Sequence, residues 1–317
     1  MLRRLFRSLA RDVAIDLGTS NTLVYLKDRG VVVNEASVVA INTKTGQIME
    51  VGREALRMLG KTPPYIQIVQ PLVSGVISDF EVTEKMLKYF IDRVHREQPM
   101  LAPRPAVVIG IPLEVTEVEK KAVEDAVTSA GAREVFLVEN VVAAAVGARL
   151  PIQDPSGNMI VDVGGGLTQI AVISLSGVVA HKVLRTAGST LDADLVQYAR
   201  NEYNLLVGEK TVEEMKVRLS QSPDALTSNE QKVRGRDLIT GLPREVTLTG
   251  AEIMAALERS VSAIIDGVKS ALEITPPELV ADIHQQGITL VGGGSQLRDL
   301  AARIGDARSV RDGLRRR

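Results

Sequence analysis

The chain has 317 residues, too many for one average domain and suited to two lobes of about 150 residues each. Hydrophobic residues make up 45% and charged residues 24%, the balance of a globular protein with a real core, and the net charge of -1 gives no global argument for a nucleic-acid partner. Cysteine is absent, which excludes a disulfide scaffold, a thiolate zinc site and a Cys nucleophile. No apolar run reaches the length of a membrane span.

The first eleven residues, MLRRLFRSLAR, place Leu2, Leu5, Phe6 and Leu9 on one helical face, with Arg3, Arg4, Arg7 and Arg11 around the rest. Such a helix can lie flat on an anionic bilayer or dock on the body of the protein. Charge interrupts its apolar residues and no small-residue cleavage site follows, so a secretory signal is not expected.

Residues 13–26 read as strand, small-residue turn and strand. Residues 31–52 alternate apolar and polar groups, as short strands of a small sheet do. An amphipathic helix is expected over 83–97 with Thr83 as its cap, then a buried strand at 105–111 ending at Pro112. A helix over 114–130 closed by Gly131, a strand at 134–138 and an Ala-rich helix from 142 follow. The second half is read as strands at 158–163, 168–174 and 177–185, then helices near 188–206 and 210–219. A hairpin or loop over 222–235, a long helix over 250–273 and a strand at 287–291 complete it. Residues 159–173 repeat the plan of 13–26, each with an Asp (Asp16, Asp162) before a Gly-bearing turn and a Thr (Thr22, Thr168) after it, nearly half a chain apart. The expectation is an α/β protein of two similarly built lobes.

The turns carry the chemistry. In DLGTSNT, backbone N–H groups and the side chains of Thr19, Ser20, Asn21 and Thr22 can approach phosphate oxygens, and Asp16 can hold a hydrated Mg²⁺. DVGGG offers Asp162 and Gly164, Gly165 and Gly166 for the same purposes. A third cluster, LVGGGSQLRDL at 290–300, follows a strand and is expected to open a helix, where a flat ligand such as adenine can lie against glycine backbone. No GxxxxGK[ST] loop is present, and no GxGxxG follows the first strand. The three His, His95, His181 and His284, form no paired motif and read as surface or packing residues.

Together these segments resemble the actin, heat-shock chaperone and sugar-kinase superfamily, and within it the MreB family, from residue 1 to about residue 300. DLGTSNTLVYLKDRGVVVNEASVVAI, VGREALRMLGKTP, GVISDFEVTEKML, GAREVFLVE, IVDVGGG and PPELVADI carry the likeness. The resemblance implies an actin-like fold, a duplicated ribonuclease H-like pair of lobes with ATP and Mg²⁺ in the cleft between them. The lobes would span 12–148 and 149–303, with small subdomains inserted at about 33–75 and 186–248, and 304–317 as a short basic tail. It also implies self-assembly into protofilaments, an N-terminal helix on the inner face of the cell membrane, a cytoplasmic location, and work alongside cell-wall synthesis proteins. By the same likeness, Glu213, Glu214, Met215 and Lys216 stand at the ribose and adenine side, and Gly293, Gly294, Ser295 and Gln296 at the adenine pocket.

Departures from the family pattern cluster on hydrolysis. Where the family has Glu-Glu-Pro, this chain reads Glu139, Asn140, Val141, so Asn140 stands where a Glu would position the attacking water. An amide can bond a water but cannot take its proton near neutral pH. Leu167 and Gln169 replace a hydroxyl and a carboxylate in the second turn, and Ala187, Gly188, Ser189 replace Gly-Gly-Asp. ATP binding with slow or lost hydrolysis is therefore the expectation, Glu139 being a possible substitute base. After Leu300 only AARIGDARSVRDGLRRR remains, so the closing elements of the first lobe are expected to be missing. The alternatives are a fully active ATPase of the same type, or a non-polymerising regulator that co-assembles with a full-length paralogue. A chaperone would need a C-terminal peptide-binding domain, and a kinase a dedicated base, which the chain does not offer.

Overall fold

The computed structural model describes residues 12–95, 104–221 and 230–306, together with a strand at 315–316. The expected membrane segment with Leu2, Leu5, Phe6 and Leu9 lies outside the described residues, as do 222–229 and most of the basic tail. The chain divides into two compact units, Met1–Ala143 and Ala144–Arg317.

In the first unit β1 (Val13–Leu17), β2 (Asn21–Leu26) and β3 (Gly30–Ala36) form an antiparallel meander. Next come β4 (Val39–Asn42), β5 (Ile48–Val51), helix α1 (Arg53–Met58) and β6 (Ile66–Val69), a small three-stranded sheet with α1 packed beside it. A tight hairpin, β7 (Leu72–Val73) and β8 (Val76–Ile77), leads into α2 (Phe80–His95), β9 (Ala106–Ile111), α3 (Glu117–Ser129) and β10 (Glu134–Glu139). The main sheet has the order β10-β9-β1-β2-β3, with β1, β9 and β10 parallel. Alternation decides the inner face: Val13, Ile15, Val24, Leu26, Val107 and Ile109 are buried against Met86, Leu87, Phe90 and Ile91 of α2. Helix α2 opens at Phe80, not Thr83. Asp79 is its cap, the Oδ1 accepting from the Val82 N–H, while Thr83 is buried and its hydroxyl donates back to the Asp79 carbonyl. Helix α4 (Asn140–Gly147) starts directly from the end of β10.

The second unit repeats the plan. A meander of β11 (Asn158–Val163), β12 (Thr168–Ser174) and β13 (Gly177–Leu184) leads into α5 (Gly188–Tyr203), β14 (Leu205–Leu206) and α6 (Glu209–Gln221). The hairpin β15 (Glu230–Asp237) and β16 (Pro243–Thr249) joins β14 in a second three-stranded sheet. Of the two readings of 222–235, hairpin or loop, the hairpin holds from Glu230 onward and extends to Thr249: Gln231 and Val233 are buried between exposed charged neighbours, which is strand alternation. Helices α7 (Gly250–Glu273) and α8 (Pro277–Gln286) precede β17 (Ile288–Val291), a 3₁₀ turn at Gly293–Gln296, α9 (Leu300–Asp306) and β18 (Arg315–Arg316). The sheet order β13-β12-β11-β17-β18 matches β3-β2-β1-β9-β10 strand for strand, with β11, β17 and β18 parallel. Two expectations are thereby corrected. Gly293–Gln296 form a 3₁₀ turn where the opening of a helix was expected, the α-helix beginning only at Leu300, and residues 315–316 of the basic tail pair with Thr289 and Leu290 as a strand.

Helix α7 is the spine of this unit, burying Ile253, Leu257, Val261, Ile264 and Val268. Its start is fixed by a capping box between Thr249 and Glu252, whose carboxylate also meets the Tyr203 hydroxyl. Thr249→Ala should cost about 1 kcal/mol, read as a lower urea midpoint at unchanged slope. An unchanged midpoint would mean that the Tyr203 contact holds the helix start without the cap.

Candidate functional site

The chemistry gathers where the parallel strands end, the usual place for ligands in open α/β sheets. In the first unit the β1–β2 turn closes with the Gly18 N–H donating to the Asn21 carbonyl at 3.2 Å. A Cβ on Gly18 would stand 2.6 Å from that oxygen, so the closure requires glycine. Ser37, at the end of β3, fastens the turn. Its hydroxyl donates to the Gly18 carbonyl at 2.6 Å and lies 2.8 Å from the Thr22 hydroxyl, and its N–H donates to the Ser20 carbonyl. Thr22, expected among the phosphate contacts, is fully buried by this arrangement and acts as a fastener. The Thr19 hydroxyl accepts from the Gly75 N–H at 2.9 Å, in a β7–β8 turn whose Ser74 and Gly75 both have positive φ. Ser20 and Asn21 remain exposed. At the neighbouring strand ends, Gly110 of β9 sits under the Asn140 carboxamide; a Cβ there would overlap Asn140 Oδ1. Glu139 is exposed. Asp16 keeps surface open to solvent, but the protein crowds its carboxyl, and this desolvation raises its pKa.

The second unit builds the same turn with other fasteners. The Gly164 N–H donates to the Leu167 carbonyl at 2.9 Å. The start of α5 then docks on it: the Gly188 N–H donates to the Gly164 carbonyl, and the Ser189 N–H and hydroxyl both donate to the Gly165 carbonyl, at 2.8 and 2.6 Å. Behind them Lys216 of α6 donates to the Gly188 carbonyl at 2.9 Å and pairs with Asp192 at 2.8 Å. Burial raises the Asp192 pKa while Lys216 opposes the rise. Glu213 is exposed at the rim, and its pKa is raised first by desolvation and then by the Asp192 charge. The 3₁₀ turn completes the group. Gly292, at φ +82, passes so close to Asp162 that a Cβ would lie 2.4 Å from its Oδ1, and Gly294 packs on Val163 with equal closeness.

The structure thus brings Gly164–Gly166, Lys216, Asp162 and Gly293–Gln296 into one cluster. Three expected contacts turn away from it. Met215 is buried in the core, the Ser295 hydroxyl is spent on the Gly292 carbonyl, and Glu214 pairs with Arg218 on the solvent side. Ser37, Gly75 and Asp192 were missed. Ser37 and Asp192 look like ordinary polar residues in sequence, and only the small-residue step at Ala36–Ser37 after β3 hinted at a second anchoring turn.

A sequence profile described as MreB/Mbl protein matches residues 10–312. The chain belongs to the MreB/Mbl family. It is 45% identical to the cell shape-determining protein Mbl of Bacillus cereus over 91% of this chain and 86% of that one. It is 44% identical to the cell shape-determining protein MreB of Escherichia coli over 95% and 87%. The crystal structure of MreB5 of Spiroplasma citri bound to ADP superposes with TM-score 0.90 at 36% identity, over 97% of this chain and 91% of that one. The MamK double helical filament, at 22% identity and TM-score 0.79, shares the fold. The duplicated sheet is accordingly the actin-like one.

The Ser189 hydroxyl donates to the Gly165 carbonyl, which a carboxylate could not do, and ties the second turn to α5. Gln169, in turn, is buried directly opposite Asp162 in the β11–β12 register.

The raised Asp16 pKa fixes a pH dependence. The folded state holds the Asp16 proton more tightly than the unfolded chain, so this group's contribution is fully present in acid and is lost as pH rises through the folded pKa. Asp16→Asn should therefore be more stable than the parent at neutral pH in metal-free buffer. The gap in melting temperature should close as pH falls below the ordinary carboxylate range; a parent equal to or above the variant at neutral pH would contradict the desolvation reading.

Proposed function

We propose that this chain is a cell shape-determining, ATP-binding cytoskeletal protein that assembles with copies of itself and hydrolyses ATP slowly or not at all. The observation that carries the nucleotide reading is the twice-built turn: each sheet ends in a fastened hairpin of small residues headed by an Asp. MreB5 of Spiroplasma citri, similar along nearly the whole chain, has been solved with ADP and with AMPPNP.

The residues fit a triphosphate and its metal. Ser20 and Asn21 with the amides of the first turn, and Gly164 to Gly166 in the second, offer donors to phosphate oxygens. Asp16 and Asp162 would hold Mg²⁺, through water. The backbone at Gly293 is open, with no neighbouring atom where a Cβ would stand, which suits a flat base, and Gln296 is exposed beside it. Bound Mg²⁺ would neutralise phosphate charge; the protein supplies position and donors. Lys216 contributes indirectly, since it holds the α5 start that holds the second turn.

Asn140 carries the hydrolysis reading. Its carboxamide rests on Gly110 at the strand ends, where the family pattern places a Glu, and an amide cannot accept the proton of an attacking water. ATP then serves as a ligand that selects an assembling conformation, through differential affinity for the two states. Filament formation rests on family membership. The arginine-flanked stripe Leu2, Leu5, Phe6 and Leu9 supports attachment to the inner, cytoplasmic face of the cell membrane, beside the cell-wall synthesis machinery. The Asn140→Glu variant provides the test, with phosphate release and co-sedimentation with anionic liposomes followed together. The parent should pellet with ATP and Mg²⁺ at background phosphate release, and the variant should release phosphate faster by on the order of 10²-fold. Brisk release from the parent would show that another residue, Glu139 first, supplies the base. Absence of pelleting with every nucleotide would favour the co-assembling regulator.

A further inference from the structure

Two polar residues at the end of β3 serve different neighbours. Ser37 fastens the first turn through Gly18, Ser20 and Thr22. Glu35 stands opposite Thr22 in the β2–β3 register, and its side chain joins the strand to two further elements. Its Oε2 accepts from the Arg53 N–H at 3.0 Å, where α1 begins, and its Oε1 accepts from the Arg93 guanidinium of α2 at 3.0 Å. Two more bonds reinforce the tie to α1. The Arg53 guanidinium donates to the Asn34 carbonyl at 2.9 Å, and the Gly52 N–H donates to the Val38 carbonyl at 2.9 Å. The junction requires glycine at 52, where φ is +78 and a Cβ would stand 2.6 Å from the Glu35 Oε2. The Glu35 side chain is only 17% exposed. Burial on its own would raise its pKa, but the Arg53 amide and the Arg93 guanidinium outweigh burial and hold the carboxyl below the usual range. At neutral pH both oxygens of an ionised carboxylate are thus spent on charge-assisted bonds to two separate elements.

We propose that Glu35 couples the first turn to the small sheet, so that a ligand settling on the turn is felt at α1 through the end of β3. The inference rests on the nucleotide reading of that turn and adds a route for its regulation. Residues 34–38 form one short stretch pinned at Asn34, Glu35, Ser37 and Val38, so a displacement of Ser37 is passed to Glu35. Apolar packing of Val39 and Val51 on the main core sets where the small sheet sits. That packing is non-directional, whereas the Glu35 bonds are directional and set how α1 is held. The other tie of the first turn, Thr19 to Gly75, leads to the β7–β8 hairpin and not to α1. Such a coupling is reciprocal: whatever the nucleotide adds to the hold on α1, a firm hold on α1 adds to nucleotide affinity.

Amide exchange on the full chain, with and without Mg²⁺ and AMPPNP, tests the coupling in the parent, Glu35→Gln and Glu54→Gln. The last variant breaks an exposed pair with Arg57 within α1 and leaves the junction alone. In the parent, AMPPNP should slow exchange at residues 18–22 and also at 56–59, the end of α1. Glu35→Gln at saturating AMPPNP should keep the protection at 18–22 and lose the added protection at 56–59. It should also bind AMPPNP about fivefold more weakly or worse. Glu54→Gln should behave as the parent.

Parental protection at 56–59 in Glu35→Gln, or unchanged affinity, would overturn the proposal. So would a parent protected at 18–22 but not at 56–59. A parent that binds AMPPNP without protection at 18–22 would remove the nucleotide reading of the turn, and the proposal with it. Should Glu35→Gln fail to fold, Arg93→Gln removes only the α2 arm, from a half-exposed side chain. It should lower the added protection at 56–59, and full parental protection there would equally overturn the coupling.

Discussion

The backbone hydrogen bond that closes each β-hairpin turn, Gly18 to Asn21 at 3.2 Å and Gly164 to Leu167 at 2.9 Å, is the constraint on which the candidate residues of each unit depend. A four-residue turn closed in this way crowds its first residue, severely at Gly18, where a Cβ would stand 2.6 Å from the Asn21 carbonyl, and less so at Gly164, where it would stand 3.1 Å from the Leu167 carbonyl. Everything around the turns serves to keep them in that shape. Ser37 and Gly75 do so in the first unit; Gly188, Ser189 and, at one remove, Lys216 and Asp192 do so in the second. Backbone donors held rigidly in advance need little reorganisation when an anion arrives, which is the advantage of such a grip over flexible basic side chains.

The two copies of the plan have diverged in how they are supported. The first turn is tied to a strand end and to a neighbouring tight hairpin, the second to the start of a helix that is itself held by the next helix. A disturbance at Lys216 or Asp192 can therefore reach the second turn without touching it, through the Gly188 carbonyl. The main sheets differ as well. One is buried on both faces and the other presents Phe136, Val108, Tyr25 and Val31 outward.

Much of this was legible in the sequence because it is periodic. The alternation of Val13, Ile15 and Leu17, the repeat of Asp, glycine and threonine at Asp16 and Asp162, and the long stripe of α7 over 250–273 all translate directly into elements. What escaped was local competition among polar groups. Asp79 takes the cap expected of Thr83 because its side chain reaches the Val82 N–H, whereas Thr83 is drawn back to the Asp79 carbonyl. Thr22 and Ser295 look like ligand contacts in a motif, yet each hydroxyl satisfies a neighbour inside the fold. The glycine cluster predicted close backbone approach, and Asp162 and Val163 are what Gly292 and Gly294 approach, while Gly293 stays open. The β15–β16 hairpin was legible only as one of two readings and with the wrong bounds, because its charge leaves about every second residue buried.

The proposed function rests on each fastened turn donating to nucleotide phosphate. Amide hydrogen exchange measured with and without ATP and Mg²⁺ tests it most directly. The account predicts strong added protection at the amides of residues 18–22 and 164–167, appearing together and with the same dependence on nucleotide concentration. Protection of one turn alone, or of neither while nucleotide demonstrably binds, would contradict it.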